Sequence, residues 1–329
     1  MRGFLRFFVI SLGALLAVCV AVVVVLTQVA EYRHERIVAS ISRKLSPAVV
    51  SSPQIVWDTD LRPSGFPQDS FDSPYTHSAA PRSVALSGSL AAVAFRKSHY
   101  EGEKLVIDGN LLTVSLLNGS VLTTTHWPDP TGLDPGVFCC TPDSQLYGYS
   151  DGHFVVEDGL FKRQANSPVG PSTQKVNVNL GFNGRPASVE IVHEDHSKSS
   201  FQTGCGNVMQ SFVSKTTLAI IGCSTLSIIG IDGLLLFADA FNDAYLYFGG
   251  ASENGKRFVI AVSSWHPGDP PYLTDEWLVV YDVDRRGPIV AFKSDTLPYE
   301  QSQSALSPAG NHLLIGTGGH LKLVTLPNE

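Results

Sequence analysis

Short apolar runs separated by polar or glycine-containing turns recur along most of this chain. Near its end, the polar turn 307–312 leads into the apolar run 313–316, and a further run, 320–324, follows two glycines. The same order of turn and run occurs at 141–149 and at 252–261. Apolar runs of about four to eight residues between such turns are typical of β-strands. A strand and turn that repeat in this way predict a repeat architecture built from β-sheets.

The predicted strands fall mainly into groups of four, spaced about 40 residues apart. The groups cover 83–126, 137–163, 175–202, 208–238, 244–293 and 303–325, and the pattern defines the third group poorly. Four-stranded units at this spacing are typical of a β-propeller, in which each sheet is a blade that packs against its neighbours. We therefore predict an all-β fold, a single β-propeller of about six four-stranded blades. Seven blades is the alternative if 63–80 and the third group contain another.

The last group contains three predicted strands instead of four. A propeller ring must close, and closure hides strand edges that would otherwise pair with other chains. The isolated apolar run from Gln54 to Thr59 precedes the first group and can supply the missing strand. The sequence therefore predicts that this run pairs with the closing segment, so that Val56 and Val324 share a sheet.

The beginning of the chain is apolar enough to cross a membrane. The stretch from Phe7 to Leu26 carries no charged residue and follows Arg2 and Arg6. Its length matches the roughly 20 residues that span a hydrocarbon core, and it exceeds the apolar region of a usual cleaved signal. We predict a transmembrane signal anchor at 1–30, a linker at 31–52 and a propeller domain at 53–327. A cleaved signal peptide, which would give a secreted domain, is the alternative.

Positive charges flank the predicted span almost equally. They are Arg2 and Arg6 before it, and Arg33, Arg36, Arg43 and Lys44 after it. The positive-inside rule therefore gives little direction. The short charged start and the early apolar run resemble an export signal. We predict a membrane-anchored protein whose propeller domain lies outside the cytoplasm, in the periplasm or the extracellular space.

Composition argues against a nucleic-acid partner. Charged residues make up 16% of the chain, the formal net charge is −7, and no block of like charge occurs. A nucleic-acid-binding domain usually carries a basic patch or stripe. The sequence also lacks the Gly-x-Ser-x-Gly elbow, a phosphate-binding glycine loop and Cys-x-x-Cys. We predict no cofactor and identify no catalytic nucleophile.

Two cysteines are placed symmetrically about a predicted hairpin. If 208–213 pairs with 217–221 around Ser214, Cys205 and Cys223 lie opposite each other at its open end. Opposed residues in antiparallel strands have Cβ atoms about 4.5–5.5 Å apart, near the reach of a disulfide. Cys205 and Cys223 are therefore a candidate disulfide, with two unrelated buried thiols as the alternative. The adjacent Cys139 and Cys140 are predicted to be strand residues.

Two segments resemble the blade strands of known propellers. The turn 307–310 before 313–316, and the run 277–284 before 288–290, are similar to strands of WD40-type and TolB-type propellers. The Gly-His and Trp-Asp pairs that recur in true WD40 repeats do not recur here. The resemblance extends in kind over most of 53–327. It implies the propeller fold and no particular activity, because one fold hosts many functions.

The candidate ligand-binding residues lie in two loops. In a propeller, the loops between second and third strands open on the same face as the connections between blades. The loop 264–272 is longer than a turn requires and combines aromatic residues with prolines, which stiffen a binding surface. The loop 193–196 places two histidines together, but not on one helical face as a zinc-protease motif requires, so we predict no metal site. The candidates are Trp265, His266, Asp269, Tyr272, His193 and His196.

The alternatives for these loops are structural. The first can be a proline-rich cap that packs over its blade, and the second a solvated hairpin turn. We favour a membrane-tethered binding module whose loop face contacts an unknown protein or small molecule. A metal-dependent hydrolase or lactonase is the alternative, and it requires three or more Asp, Glu or His side chains converging near the propeller axis.

Overall fold

The recurring strand pattern forms antiparallel sheets, which follow one long helix. The computed structural model describes residues 2–48, 53–65, 81, 83–101, 104–128, 136–139, 146–149, 153–164, 175–180, 186–193, 195–267, 272–294 and 301–327. Helix α1 covers Arg2–Leu45, and short 3₁₀ turns cover Ser46–Ala48 and Arg62–Ser64. The prediction of an all-β domain after one apolar helix is confirmed.

The described strands form six sheets. Strand β1 (Gln54–Asp60) precedes a sheet of β2 (Ser83–Ser87), β3 (Leu90–Glu101), β4 (Lys104–Ser115) and β5 (Val121–Pro128). The next two sheets are β6 (Gly136–Phe138), β7 (Tyr147–Tyr149), β8 (His153–Glu157) and β9 (Leu160–Gln164), then β10 (Lys175–Asn179), β11 (Ser188–Val192) and β12 (Lys198–Gln202). Two more are β13 (Met209–Ser214), β14 (Thr217–Gly222), β15 (Thr225–Gly230) and β16 (Leu235–Ala240), then β17 (Tyr245–Ala251), β18 (Arg257–His266), β19 (Tyr272–Asp282) and β20 (Gly287–Lys293). The last contains β21 (Gln303–Leu306), β22 (His312–Thr317) and β23 (His320–Thr325) together with β1.

Apolar clusters join each of these sheets to at least one other sheet, and one cluster joins the first sheet to the last. Phe95 and Leu112 of the β2–β5 sheet pack with Leu314 and Leu323 of the β21–β23 sheet. Further clusters join β2–β5 to β6–β9, β10–β12 to β13–β16, β13–β16 to β17–β20, and β17–β20 to β21–β23. Antiparallel sheets that pack face to face in this way match the arrangement of blades in a β-propeller, and this part of the molecule is called the propeller below.

The sheet at the end of the chain is completed by the strand at the start of the domain. Its order is β1-β23-β22-β21, with Ile55 opposite Val324 and Thr59 opposite Leu321. A register shift at Val56 places a β-bulge in β1 without breaking the pairing. The predicted pairing of this run with the closing segment is confirmed, and Val56 and Val324 share a sheet.

Helix α1 continues well past its apolar part and packs on the propeller. Ile41 and Leu45 are 2% and 0% exposed, in a cluster with residues of the β13–β16 and β17–β20 sheets. With Ile37 they recur every four residues, which places them on one helical face. We predicted a linker at 31–52, and the structure shows that most of this segment is a docked helix, because this face has an apolar partner.

Polar contacts support the same docking. Lys44 forms an ion pair with Asp239 and lies 5.1 Å from the ring centre of Phe241. The other Asp239 oxygen accepts a hydrogen bond of 2.6 Å from the Tyr281 hydroxyl. Burial, followed by the nearby Asp239 carboxylate, raises the pKa of Tyr281. The end of α1 is therefore held by charge as well as by apolar packing.

The candidate disulfide is absent, because Cys205 and Cys223 are free thiols in the structure. The β13–β14 pairing sets Met209 opposite Ile221, so Cys205 lies two positions out of the predicted register with Cys223. The two thiols remain neighbours, and burial together with Cys223 raises the pKa of Cys205 to about 11. Cys139 follows β6 instead of lying within it and is disulfide-bonded, and Cys140 lies outside the described residues.

Candidate functional site

The β18–β19 hairpin brings three of the predicted site residues to the side of α1. Trp265 and His266 end β18, and Tyr272 begins β19 directly opposite His266. The predicted residue Asp269 lies outside the described residues. The loop therefore extends the β18–β19 hairpin beyond the rest of the sheet, and α1 passes beside this extension.

His34 is the main polar contact between α1 and this hairpin. Its Nδ1 lies 3.1 Å from the carbonyl oxygen of Trp265 and 3.0 Å from the Ser264 hydroxyl. Because a carbonyl oxygen only accepts hydrogen bonds, Nδ1 donates to it. The other ring nitrogen, Nε2, lies 3.5 Å from Asp275, which accepts a 2.6 Å hydrogen bond from Lys293. These contacts tie the helix to three strands of one sheet.

His266 occupies the space between the helix and its own hairpin. Its ring stacks on Tyr272 with centres 4.8 Å apart and meets His34 edge-on at 5.0 Å. Its Nε2 lies 3.5 Å from a Glu31 carboxylate oxygen. Its Nδ1 is buried and has no hydrogen-bond partner within the described part of the chain. The predicted residue His266 thus takes part in docking α1.

A β-bulge in β19 directs two adjacent carboxylates to different partners. The register shift leaves Asp275 and Glu276 opposite a single residue of β18, Ser263. Asp275 has a φ of 52°, a left-handed conformation that aspartate adopts more readily than most residues. Asp275 contacts α1, whereas the buried Glu276 accepts hydrogen bonds from the Tyr247 hydroxyl and from the Ser302 amide. Bulges commonly re-aim side chains in this way.

The buried Glu276 makes the stability of the propeller depend on pH. Burial raises its pKa to about 7, from an ordinary value of 4.5. The folded protein keeps this proton up to about pH 7, whereas the unfolded chain releases it near pH 4.5, so stability falls as pH rises through this window. Glu276→Gln is expected to be more stable than the natural protein at pH 8, by up to roughly 3 kcal/mol, and similar to it at pH 4.5.

Thermal unfolding of the full chain in detergent between pH 4.5 and pH 8 measures this difference. Glu253→Gln is the matched control, because Glu253 is exposed in a turn. We expect the control to keep the pH dependence of the natural protein. A Glu276→Gln curve parallel to that of the natural protein would contradict the prediction.

The second predicted loop is a local hairpin turn. His193 Nε2 lies 2.7 Å from the Ser199 hydroxyl, and the His193 amide donates to the carbonyl oxygen of Ser197. His196 lies exposed in the turn with a φ of 64°. Hydrogen bonds from Ser197 lower the pKa of Asp195. These contacts stay within the β11–β12 hairpin, so they do not join His193 and His196 to the site at α1.

The arrangement around α1 is suited to hydrogen bonding and ion pairing. Among the described residues, no three His, Cys, Asp or Glu side chains form a group that could hold a metal ion. Each histidine instead has its own carboxylate neighbour, Asp275 for His34 and Glu31 for His266. The site therefore offers two histidine–carboxylate pairs and an aromatic stack, arranged around an opening.

That opening is a cleft of about 530 Å³ between α1 and the hairpin. Trp265, which is 49% exposed, forms one wall and meets Tyr245 edge-on with ring centres 6.0 Å apart. The residues that line it are Leu26, Val29, Ala30, Arg33, His34, Ile37, Trp265, His266 and Pro267. The cleft thus joins apolar helix residues to a cation and a half-exposed tryptophan.

The sequence analysis missed the helical half of this site. Glu31, Arg33 and His34 lie in the predicted linker, and no pattern marked them as partners of the loop. The signal that could have found them is the four-residue spacing of apolar positions after His34, which indicates a helix face in need of a partner. Asp275 and Glu276, adjacent carboxylates directly before the apolar run 277–284, were a second signal.

Fold and site together describe a propeller-like all-β domain with an apolar helix docked against two of its sheets. The chain matches no family model and no curated protein. A chain of the "Crystal Structure of Mitotic Checkpoint Complex" is similar at 14% identity and a TM-score of 0.33, over 84% of this chain and 93% of that one. The structure titled "KlHsv2 with loop 6CD replaced by a Gly-Ser linker" is similar at 13% identity and 0.29, over 70% and 71%. Likeness this low carries no conclusion about function.

Proposed function

We propose that this chain is a membrane-anchored β-propeller that serves as an interaction module, held rigidly at the membrane surface. One observation carries the proposal, the continuity of α1 from Arg2 to Leu45. The described apolar residues from Leu15 to Val29 are exposed, whereas Ile41 and Leu45 are buried in the propeller. An apolar helix surface of this length is suited to a bilayer core. Anchor and propeller are therefore joined without a flexible segment.

We further propose that the sheets form a closed ring of six blades. The pairing of β1 with β23 supports closure, because it ties the two ends of the domain into one sheet. Four clusters that join consecutive sheets, and a fifth that joins the first sheet to the last, support the same arrangement. A ring requires one further contact, between β6–β9 and β10–β12.

The course of α1 supports a particular orientation. Leu45 packs in the sheet cluster, and His34, about 16 Å away along the helix, meets Trp265 at the hairpin. The apolar part of α1 thus leaves the domain on the side of the β18–β19 hairpin tip. In our proposal, the face with the loops between second and third strands is turned toward the bilayer.

A protein partner is supported by the outer edge of the β13–β16 sheet. Leu235 and Leu236 of β16 and the preceding Leu234 are exposed. Edge strands of soluble proteins usually carry charges or proline, which prevent pairing with other chains. Three successive exposed leucines at an edge therefore support a docking role for this part of the propeller.

We also propose that the propeller lies outside the cytoplasm. The support is the short charged start with an early apolar run, which resembles an export signal. Of the four cations after the span, two have partners within the chain: Lys44 pairs with Asp239, and Arg36 lies over Tyr32. These two therefore count less as a positive-inside signal for a cytoplasmic propeller. We retain a cleaved signal as the alternative, in which the mature protein would begin after the apolar run.

Arginine substitutions in the span test the anchoring. Leu16→Arg with Val20→Arg should strongly reduce flotation of the full chain with phosphatidylcholine vesicles, since each arginine near the bilayer centre costs about 2.5–3.5 kcal/mol. Leu117→Arg is the control, because Leu117 is 87% exposed at a turn of the propeller. Protease added outside sealed vesicles then reports on which side the propeller lies. Flotation of the double variant equal to that of the control would disprove the anchor.

The predicted alternative, a metal-dependent hydrolase, has no supporting observation in the described ranges. The predicted histidines lie in separate hairpins there, and no converging set of metal ligands occurs among those residues. We therefore propose the interaction module alone.

A further inference from the structure

We infer that the cleft between α1 and the β18–β19 hairpin is a binding site for a phospholipid of the bilayer. In this arrangement the phosphate lies at Arg33, and the acyl chains follow Leu26, Val29 and Trp265. The inference rests on the proposed function, because it requires α1 to be anchored in a membrane. The proposed phospholipid is the ligand of that part of the loop face which lies nearest to the anchor.

The apolar wall of the cleft is continuous with the predicted span. Leu26, at the end of the span, lines the cleft together with Val29 and Ala30 one turn later. Leu26 and Val29 are 63% and 59% exposed, so their side chains are available to a ligand. Since apolar surface is unfavourable in water and the neighbouring span lies in lipid, acyl chains are the natural occupant.

Arg33 lies at a suitable depth for a lipid phosphate. It follows Leu26 by about 10 Å along the helix, and the interfacial layer extends roughly 5–7 Å beyond the hydrocarbon core. Side chains of a helix tilt toward its N-terminus, so Arg33 leans back toward the bilayer, and a long arginine stem can bridge the remaining distance. A guanidinium binds phosphate with paired hydrogen bonds. The carboxylate of Glu31, two residues before Arg33, lies beside His266.

Trp265 provides the aromatic wall expected at a membrane surface. Tryptophan and tyrosine are enriched at bilayer interfaces, because their apolar rings and polar edges match that layer. Trp265 is half-exposed although it lies beside a docked helix, and the next residue, His266, stacks on Tyr272. The hairpin is thereby a second membrane contact next to the anchor.

Bromine quenching tests the position of Trp265. The full chain is reconstituted in vesicles of ordinary phosphatidylcholine, or of phosphatidylcholine brominated along an acyl chain, and compared with Trp265→Phe. The chain contains four tryptophans, so the difference between the two proteins isolates the emission of Trp265. We expect brominated lipid to quench most of this difference emission. If the protein floats with the vesicles but brominated lipid does not quench Trp265, the lipid site is overturned and the proposed anchor is not. That result is expected if a partner helix, instead of lipid, fills the cleft.

Lipid retention tests the role of Arg33. Native mass spectrometry of the detergent-purified chain, titrated with phosphatidylcholine, is compared for Arg33→Gln and for the control Arg36→Gln, whose residue lies over Tyr32 outside the cleft. We expect Arg33→Gln to weaken lipid retention about tenfold, and Arg36→Gln to leave it unchanged. Equal retention by the two variants overturns the lipid site. Failure of the natural chain to float with vesicles overturns the proposed function itself.

Discussion

Replacing Trp57 with alanine is expected to lower the free energy of unfolding by about 3–5 kcal/mol. Trp57 lies in β1, is 9% exposed, and packs in the cluster that joins the first and last sheets. Its indole Nε1 donates a 2.9 Å hydrogen bond to the carbonyl oxygen of Leu116, in the neighbouring sheet's β4–β5 turn. The substitution therefore weakens the point at which the two ends of the domain meet. Chemical denaturation of the full chain in detergent measures the loss.

Trp57→Phe separates packing from hydrogen bonding. Phenylalanine keeps most of the ring and loses the indole donor, so we expect a cost near 1 kcal/mol. The same turn approaches β1 closely at Gly119, which has a φ of 73° and whose carbonyl accepts a hydrogen bond from Thr59. A Trp57→Ala protein as stable as the natural one would show that β1 does not hold the ends together.

Replacing Leu45 with alanine is expected to destabilise the full chain by about 2–5 kcal/mol. Leu45 is fully buried in the cluster that α1 shares with two sheets, so alanine leaves a cavity there. Thermal or chemical unfolding in detergent measures this effect. We also expect α1 to become more accessible to protease around Glu31 and Arg33, because its docking is weakened.

Leu16→Ala is the matched control for this prediction. It is the same substitution in the same helix, but Leu16 is 66% exposed. We expect a change within about 0.5 kcal/mol, as is usual for surface positions. If Leu45→Ala had as little effect as Leu16→Ala, the docked half of α1 would contribute nothing to the propeller.

The propeller could be predicted because its signal is local and repeats. Each apolar run and its turn specify one strand, and the shortage of one strand at the end specified the partner of β1. The third group was poorly defined, and the structure describes three strands there, β10 to β12. The candidate disulfide rested on a predicted register that differs by two residues from the one in the structure, where Cys205 and Cys223 are neighbours without lying directly opposite each other.

The site could be predicted only in part, because half of it comes from a distant segment. Trp265, His266 and Tyr272 were identified from the length and composition of their loop. Their partner, His34, is more than two hundred residues away in the chain, and only packing brings it to Ser264. Local patterns do not contain such a contact. The helical spacing around Ile41 carried part of the information, since it shows that α1 has a partner without showing which one.

The unbroken course of α1 couples the orientation of its apolar part to the orientation of the propeller. A flexible tether would let the propeller tumble above the bilayer, whereas a helix docked at Ile41 and Leu45 transmits its own angle to the sheets. Transmembrane helices tilt when the thickness of the bilayer changes. If α1 is anchored as proposed, we therefore expect the angle between the propeller and the membrane to change with the thickness of the bilayer.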